Sequence, residues 1–256
     1  MSERRVRVVG IGAGHPDQVT VEAVSAMRAA RFALVARKSD DDPLVEARRA
    51  LVARHAPDLP IVTVRDPERD RRKASTATRD GYERVVADWH DARAEAFEAE
   101  LLARDGDAVF LTWGDPAFYD STIRIVERIL ARGRVTFAWD VLPGISALQL
   151  LAARHRIVLH EVGQPILVTT ERRLADAVAG GADNVLVMLT SGVALDGLDD
   201  WYLWWGADLG TPHERLVAGR VGDVRDDVEA ARTDVKARAG WVMDVFLLRR
   251  TAPAAS

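Results

Sequence analysis

The sequence predicts an α/β protein in which two α/β domains enclose a ligand-binding cleft. Apolar runs of strand length alternate with segments of helical periodicity over its 256 residues, a length that suits one large or two small domains. Three loops rich in glycine and proline each follow directly on such a run, at residues 10–17, 113–116 and 142–147. Open α/β sheets bind ligands where loops leave the carboxyl ends of parallel strands. Three such loops in one half of the chain indicate an enzyme acting on a small molecule.

The first predicted domain spans residues 1–143 and holds a mostly parallel sheet of five strands. Short apolar runs predict these strands at residues 6–9, 32–36, 61–64, 108–112 and 135–141. Helical periodicity predicts helices at residues 19–30, 44–55, 82–97 and 123–131. Thr20 or Asp17 is the candidate N-cap of the first helix. Residues 65–73 are charged or polar apart from Pro67 and predict an exposed loop.

The second predicted domain spans residues 144–256 and holds a mixed sheet with helices. Its strands are predicted at residues 166–170, 185–190, 203–207 and 242–248, and its helices at residues 172–179 and 221–237. The boundary is placed near residues 143–145 because the first five-stranded unit is complete there.

Composition excludes several classes of protein. The chain is 48% hydrophobic and 29% charged, which is ordinary for a globular protein. A net charge of −4 argues against a nucleic-acid partner, and the absence of cysteine excludes disulfides and a cysteine nucleophile. The apolar run after the N-terminus is too short for a signal peptide or a membrane span, so we expect a cytoplasmic enzyme without a membrane partner.

The first loop is a poor dinucleotide-binding fingerprint. That motif needs a glycine where this chain has His15, and the carboxylates of residues 40–42 come later than the motif's acidic residue. A purely structural role, a tight turn linking strand to helix, remains an alternative for any single loop.

Taken together, the three loops resemble the motifs of the tetrapyrrole (corrin and porphyrin) methylases. Residues 10–20 resemble the family's first motif, which runs glycine-x-glycine-proline-glycine-aspartate-proline and ends in leucine-threonine. Residues 113–119 resemble its glycine-aspartate-proline loop, and residues 141–147 its proline-glycine-isoleucine-serine loop. Ala13 and His15 depart from the family's usual proline and aspartate. The resemblance extends over essentially the whole chain, and residues 65–67, the helix ending at Trp89 and His90, and residues 204–212 and 243–250 most resemble one branch of the family.

The resemblance implies the tetrapyrrole methylase fold and S-adenosylmethionine as methyl donor. The family branch that this chain resembles methylates precorrin-5 at C-1 and releases the extruded carbon as acetate. A sulfonium-bound methyl group is already activated, so its transfer mostly needs two ligands held at attack distance. The sequence accordingly shows no serine–histidine–aspartate signature and no cluster with metal-ligand spacing.

The resemblance also assigns candidate site residues. The cofactor contacts fall on Trp113, Gly114, Asp115, Phe118, Ser146, Ala147, Leu189, Ala207 and Gly210. Glycine lets backbone approach a ligand, and short polar side chains can bond its amino-acid or ribose groups. For Asp115, capping the turn before the next helix is the alternative.

Candidate substrate and catalytic residues lie in the first loop and the basic loop. Gly12, Gly14, Arg69 and Arg72 are the candidate substrate contacts, since arginine suits the carboxylates that fringe a precorrin; a solvated loop with mixed ion pairs is the alternative. The water that releases acetate needs a group to activate it, and the candidates are His15 and Asp17 of the first loop. Histidine suits this role because its side chain ionises near neutral pH. Capping or packing on the ring is the alternative for His15.

The resemblance further suggests a homodimer with a small-molecule tetrapyrrole as its partner. Two other functions stay open: a non-catalytic S-adenosylmethionine-binding module, and a different methylase of the family, acting on another precorrin, on diphthine or on ribosomal RNA.

Overall fold

The computed structural model of the chain describes residues 4–67 and 79–250. These residues form two compact units, one of residues 4–12, 16–67 and 79–145 and the other of residues 13–15 and 146–250. Each unit contains a five-stranded sheet, so the predicted α/β class is confirmed. Within the described residues, no helix is long and apolar enough to cross a membrane.

The sheet of the first unit is entirely parallel, in the order β3-β2-β4-β1-β5. Its strands are β1 (Arg5–Gly10), β2 (Phe32–Arg37), β3 (Ile61–Arg65), β4 (Ala108–Thr112) and β5 (Ala138–Leu142). Its helices are α1 (Val21–Ala29), α2 (Pro43–His55), α3 (Arg79–Ala103) and α4 (Thr122–Ala131). The three strands that precede the motif loops are neighbours, and the loops therefore leave the same edge of the sheet.

Helices cover both faces of this sheet, which explains why its strands are apolar almost throughout. Met27 and Leu51, from α1 and α2, pack on the face that includes Val9. Phe97 and Ile125, from α3 and α4, pack on the opposite face. The choice of cap for α1 is resolved: the Thr20 hydroxyl accepts a hydrogen bond from the Ala23 amide at 3.1 Å.

The sheet of the second unit is mixed, in the order β6-β7-β10-β8-β9. Its strands are β6 (Leu167–Thr170), β7 (Asn184–Met188), β8 (Tyr202–Ala207), β9 (Arg215–Arg220) and β10 (Asp244–Arg249). Only β6 and β7 pair in parallel. Its helices are α5 (Ala147–His155), α6 (Glu171–Ala179) and α7 (Val221–Ala239), with α6 and α7 packed on one face and α5 on the other.

Two elements of the second unit were absent from the sequence-based prediction. Helix α5 begins inside the third motif loop, where Ser146 and Gln149 form a capping box. Strand β9 is an edge strand whose residues alternate between half-buried and exposed, and only three of its six residues are apolar. Such a short, half-polar strand gives a weak sequence signal.

Candidate functional site

The three motif loops contact one another backbone to backbone at the carboxyl edge of the first sheet. A Cβ atom on Gly10 would lie 2.5 Å from the Gly144 nitrogen and 2.9 Å from the Gly114 oxygen. A Cβ atom on Gly144 would lie only 2.1 Å from the same Gly114 oxygen. Because no side chain fits these contacts, glycine at both positions is a steric requirement of the way the loops meet.

Hydrogen bonds fix the loops further. The Gly12 and Gly114 backbones exchange two hydrogen bonds, of 3.2 and 2.8 Å, and both residues have positive φ angles. The Asp115 carboxylate accepts the Gly144 amide at 2.9 Å and the Ala117 amide at 2.8 Å. Asp115 therefore makes the turn-capping contact that was its alternative role, and it also joins the second loop to the third.

Trp113 is half-buried at the end of β4, and the Arg48 guanidinium lies over its ring at 5.7 Å from the centroid. Arg48 donates to the Leu111 carbonyl at 3.0 Å and to the Leu44 carbonyl at 2.9 Å. Burial lowers the pKa of the Arg48 guanidinium, against the opposing effect of nearby carboxylates. Sequence reasoning missed Arg48, since an arginine in an amphipathic helix is unremarkable without its spatial neighbours.

Two exposed aromatic side chains follow Trp113 in the same loop. Phe118 is 38% exposed and Tyr119 is 44% exposed, although the neighbouring Pro116 is buried. Tyr119 has a φ of +52°, in the left-handed region that costs a non-glycine residue free energy. The loop thus holds apolar surface toward solvent, as a ligand-binding loop does.

In the second unit, Ser146 is buried at the start of α5. Its hydroxyl accepts from the Gln149 amide at 3.3 Å, while the Gln149 side-chain oxygen accepts the Ser146 amide at 2.8 Å. These bonds account for the serine as a helix cap, with the half-buried Ala147 next to it.

Gly14 and Gly210, from distant parts of the sequence, meet in the second unit. A Cβ atom on Gly14 would lie 2.6 Å from the Leu209 oxygen and 3.1 Å from the Gly210 carbonyl carbon. Gly210 and Ala207 are both buried, and Gly210 has a φ of +79°. The segment after β8 is therefore packed against residues 13–15 of the first motif.

Leu189 directly follows β7 and is 61% exposed. Its φ is +54°, which a leucine rarely adopts. Strained residues of this kind concentrate at ligand sites.

The two candidate catalytic residues differ in their surroundings. His15 is exposed and groups with the second unit, whereas Asp17 groups with the first. Asp17 is exposed and forms an ion pair with Arg54 of α2, while the His55 ring contacts the Pro16 carbonyl at 2.8 Å. The segment after His15 is thus attached to the end of α2.

Arg69 and Arg72 lie outside the described residues. Of the two other substrate candidates, Gly12 is buried and Gly14 is half-buried. In residues 4–67 and 79–250, no three histidine or acidic side chains are placed to hold a metal ion.

Two known proteins resemble the chain, one of them over nearly its full length. Precorrin-6A synthase [deacetylating] of Sinorhizobium sp. is 40% identical over 255 residues, which cover 97% of this chain and 96% of that protein. Precorrin-2 C(20)-methyltransferase of Sinorhizobium sp. is 33% identical over 144 residues, covering 55% of this chain and 53% of that protein.

Solved structures of other proteins also resemble this chain. The crystal structure of a protein related to cobalamin synthesis (CobF) from Corynebacterium diphtheriae matches with a TM-score of 0.83 and 34% identity, over 98% of this chain and 100% of that one. Cobalt precorrin-4 methyltransferase, CbiF, shares the fold with a TM-score of 0.66 at 17% identity, over 96% and 94% of the two chains. The model of the Tetrapyrrole (Corrin/Porphyrin) Methylases matches residues 5–225. The chain therefore belongs to the tetrapyrrole (corrin/porphyrin) methylase family.

Proposed function

We propose that this protein is a precorrin-6A synthase (deacetylating) of cobalamin biosynthesis. In this role it would methylate precorrin-5 at C-1 with S-adenosylmethionine and release acetate. The single observation that carries the proposal is the 40% identity to a precorrin-6A synthase over nearly the whole of both chains. Location in the cytoplasm and assembly as a homodimer are part of the proposal on the strength of family resemblance.

The residues present suit S-adenosylmethionine. The loops at the edge of the first sheet offer glycine backbone together with Trp113 and Phe118, and adenosine has both polar groups and apolar faces to match them. We assign Trp113, Gly114, Asp115 and Phe118 of the first unit to the cofactor. From the second unit we assign the residues Ser146, Ala147, Leu189, Ala207 and Gly210.

Methyl transfer makes modest demands on the protein. When bound, the cofactor supplies a methyl group already activated by the sulfonium. The chain then has to hold the substrate carbon in line with that methyl group. A rigid backbone, such as that of the three motif loops in contact with one another, can do this. Gly12 and Gly14 remain our candidates for the substrate side, with Arg69 and Arg72 as proposed partners of its carboxylates.

Acetate release is a separate requirement, because water must attack a carbonyl carbon. A group that can take a proton near neutral pH assists this step. Of the two candidates, we favour His15 as the group that orients or activates the water, because an imidazole ionises near neutral pH. Asp17, which forms an ion pair with Arg54, would support the loop.

The proposal is tested by incubating the purified chain with precorrin-5 and methyl-labelled S-adenosylmethionine. We expect label in the corrin product and one acetate for each methyl group transferred. Calorimetry with S-adenosylhomocysteine on the same preparation separates the alternatives. Binding without turnover would favour a non-catalytic module, and turnover only with precorrin-2 would favour a different methylase of the family.

The role of His15 is tested by His15→Ala, with His160→Ala as the control because His160 is also an exposed histidine. We expect acetate release to slow by about 10²-fold or more while methyl transfer slows less, so that a methylated, still acylated intermediate accumulates. Equal slowing of both steps would indicate substrate positioning instead. Unchanged rates would remove His15 from the mechanism.

A further inference from the structure

The loop after β7 presents a leucine in an unfavourable backbone conformation. Leu189 has a φ angle in the left-handed region, which glycine adopts without steric cost, and yet the residue is 61% exposed. An exposed side chain contributes little burial to offset that conformational cost. Folding alone therefore gives no reason for a leucine at this position.

One buried carboxylate holds the loop on the side that follows Leu189. Glu171 is the first residue of α6 and is only 9% exposed. Its Oε2 atom accepts the Ser191 amide at 2.6 Å, the Ser191 hydroxyl at 2.7 Å and the Gly192 amide at 3.3 Å. Its Oε1 atom accepts the Ala194 amide at 3.2 Å. A single side chain thus holds three residues of the loop, Ser191, Gly192 and Ala194.

A second buried carboxylate holds the residue immediately after Leu189. The Thr190 hydroxyl donates to Oδ1 of Asp244, the first residue of β10. Oδ2 of Asp244 accepts the Trp205 indole at 3.2 Å and the Arg232 guanidinium at 3.1 Å. Since Trp205 is fully buried and Asp244 lies in the central strand, this anchor belongs to the rigid core of the unit.

Both anchors are acidic side chains that accept several hydrogen bonds. Burial raises the pKa of Glu171, but its hydrogen bonds to Ser191, Ala194 and Gly192 together lower it below the ordinary value. Asp244 has Arg232 as its ionic partner. Hydrogen bonds to an ionised acceptor are stronger than those between neutral groups, so residues 190–194 are held firmly at both ends.

We propose that Glu171 and Asp244 are positioning residues that hold Leu189 in its strained, exposed conformation for contact with an apolar face of the bound cofactor. Neither residue touches the cofactor; they preorganise the loop that does, so that ordering it costs nothing on binding. The inference rests on the proposed use of S-adenosylmethionine and adds to it the two groups that prepare one of its contacts.

Leu189→Gly provides the sharpest test, because it removes the side chain and relieves the strain together. We expect an unchanged or higher thermal midpoint in the absence of ligand, and a Kd for S-adenosylhomocysteine raised about tenfold or more. A leucine with a purely structural role would give the reverse, a lower midpoint and an unchanged Kd.

Glu171→Ala should raise the Kd for S-adenosylhomocysteine on the order of 10- to 100-fold, because the loop loses its fixed position. Glu171→Gln retains one acceptor oxygen and should recover part of the affinity. In turnover, the KM for S-adenosylmethionine should rise while the KM for the corrin substrate stays the same. Asp176→Ala is the matched control, since Asp176 lies on the same helix and pairs only with the exposed Arg173 among the ion pairs described.

The outcomes separate the two proposals. A wild-type protein that does not bind S-adenosylhomocysteine overturns the proposed cofactor and this inference with it. A wild-type protein that binds it, alongside Leu189→Gly and Glu171→Ala variants of equal affinity, overturns the inference alone. Leu189→Gly keeps the test valid even if Glu171→Ala fails to fold.

Discussion

Replacing Gly144 by alanine would force a methyl group into the contact between the three motif loops. The new Cβ atom would lie 2.1 Å from the Gly114 oxygen and 2.7 Å from the Gly10 carbonyl carbon. Real Cβ atoms essentially never come closer than 3.0 Å to such neighbours, so the backbone must move apart by at least 0.9 Å. Both neighbours are backbone at the ends of adjacent strands, and no side-chain rotation can relieve the contact.

The size of the effect follows from this geometry. An extra methyl group in a well-packed core costs about 1–3 kcal/mol, and a rigid backbone neighbour places this position at the upper end, at about 3 kcal/mol. For a protein of this size, a loss of about 1 kcal/mol in the free energy of unfolding lowers the thermal midpoint by about 2–4 °C. The midpoint of Gly144→Ala should therefore be lower by about 6–12 °C. A displacement of about 1 Å in the loops should also reduce turnover on the order of 100-fold.

The assay is thermal unfolding of Gly144→Ala beside Gly133→Ala. Gly133 has a φ of +69° but nothing within 4 Å of the position of a Cβ atom, so its alanine variant measures backbone strain alone, about 1 kcal/mol. A second measurement is the Kd for S-adenosylhomocysteine, which only Gly144→Ala should raise. Equal midpoints for the two variants would refute the idea that the loops are locked by backbone contact.

Two further predictions concern other parts of the fold. Arg48→Ala should lower the free energy of unfolding by about 1–2 kcal/mol in urea titrations, because it removes the donor to the Leu111 carbonyl and the cation over Trp113; an unchanged urea midpoint would contradict this. His155 donates to the Trp205 carbonyl, and burial lowers the pKa of its imidazole. The unfolded chain therefore binds the second imidazole proton more readily than the folded chain does. The free energy of unfolding should accordingly fall as the pH drops below 6.5. His155→Gln should show a shallower fall than the wild type between pH 7.5 and 5.5, and equal slopes would exclude His155 as its source.

Much of the first unit could be predicted because its strands are apolar on both faces. The strand at residues 108–112 is buried at every position and apolar at all but Thr112, so its apolar run is recognisable without any knowledge of its neighbours. The pattern of apolar residues does not predict the order of the strands in the sheet. The fact that β4, β1 and β5 are adjacent, and that Gly10, Gly114 and Gly144 therefore touch, required the structure.

The rest of the site escaped prediction for a different reason. Arg48 and Glu171 act through partners 63 and 20 or more residues away, and no local spacing reveals such pairs. Leu189 was assigned from family resemblance, but its backbone strain is a property of three-dimensional context. Helix α5 was overlooked because Ser146 serves both as a motif residue and as a helix cap.

The position of β10 has a consequence for how the chain is made. This strand, the last among the described residues, lies in the centre of the second sheet, between β7 and β8. During translation the ribosome delivers all five strands of the first sheet well before β10 emerges, so the first unit can fold while the second still lacks its middle. Until Asp244–Arg249 leaves the exit tunnel, β7 and β8 each present an open edge to other chains. A stop codon shortly before residue 244 should therefore yield aggregation of the nascent product, a far harsher outcome than the loss of one peripheral strand.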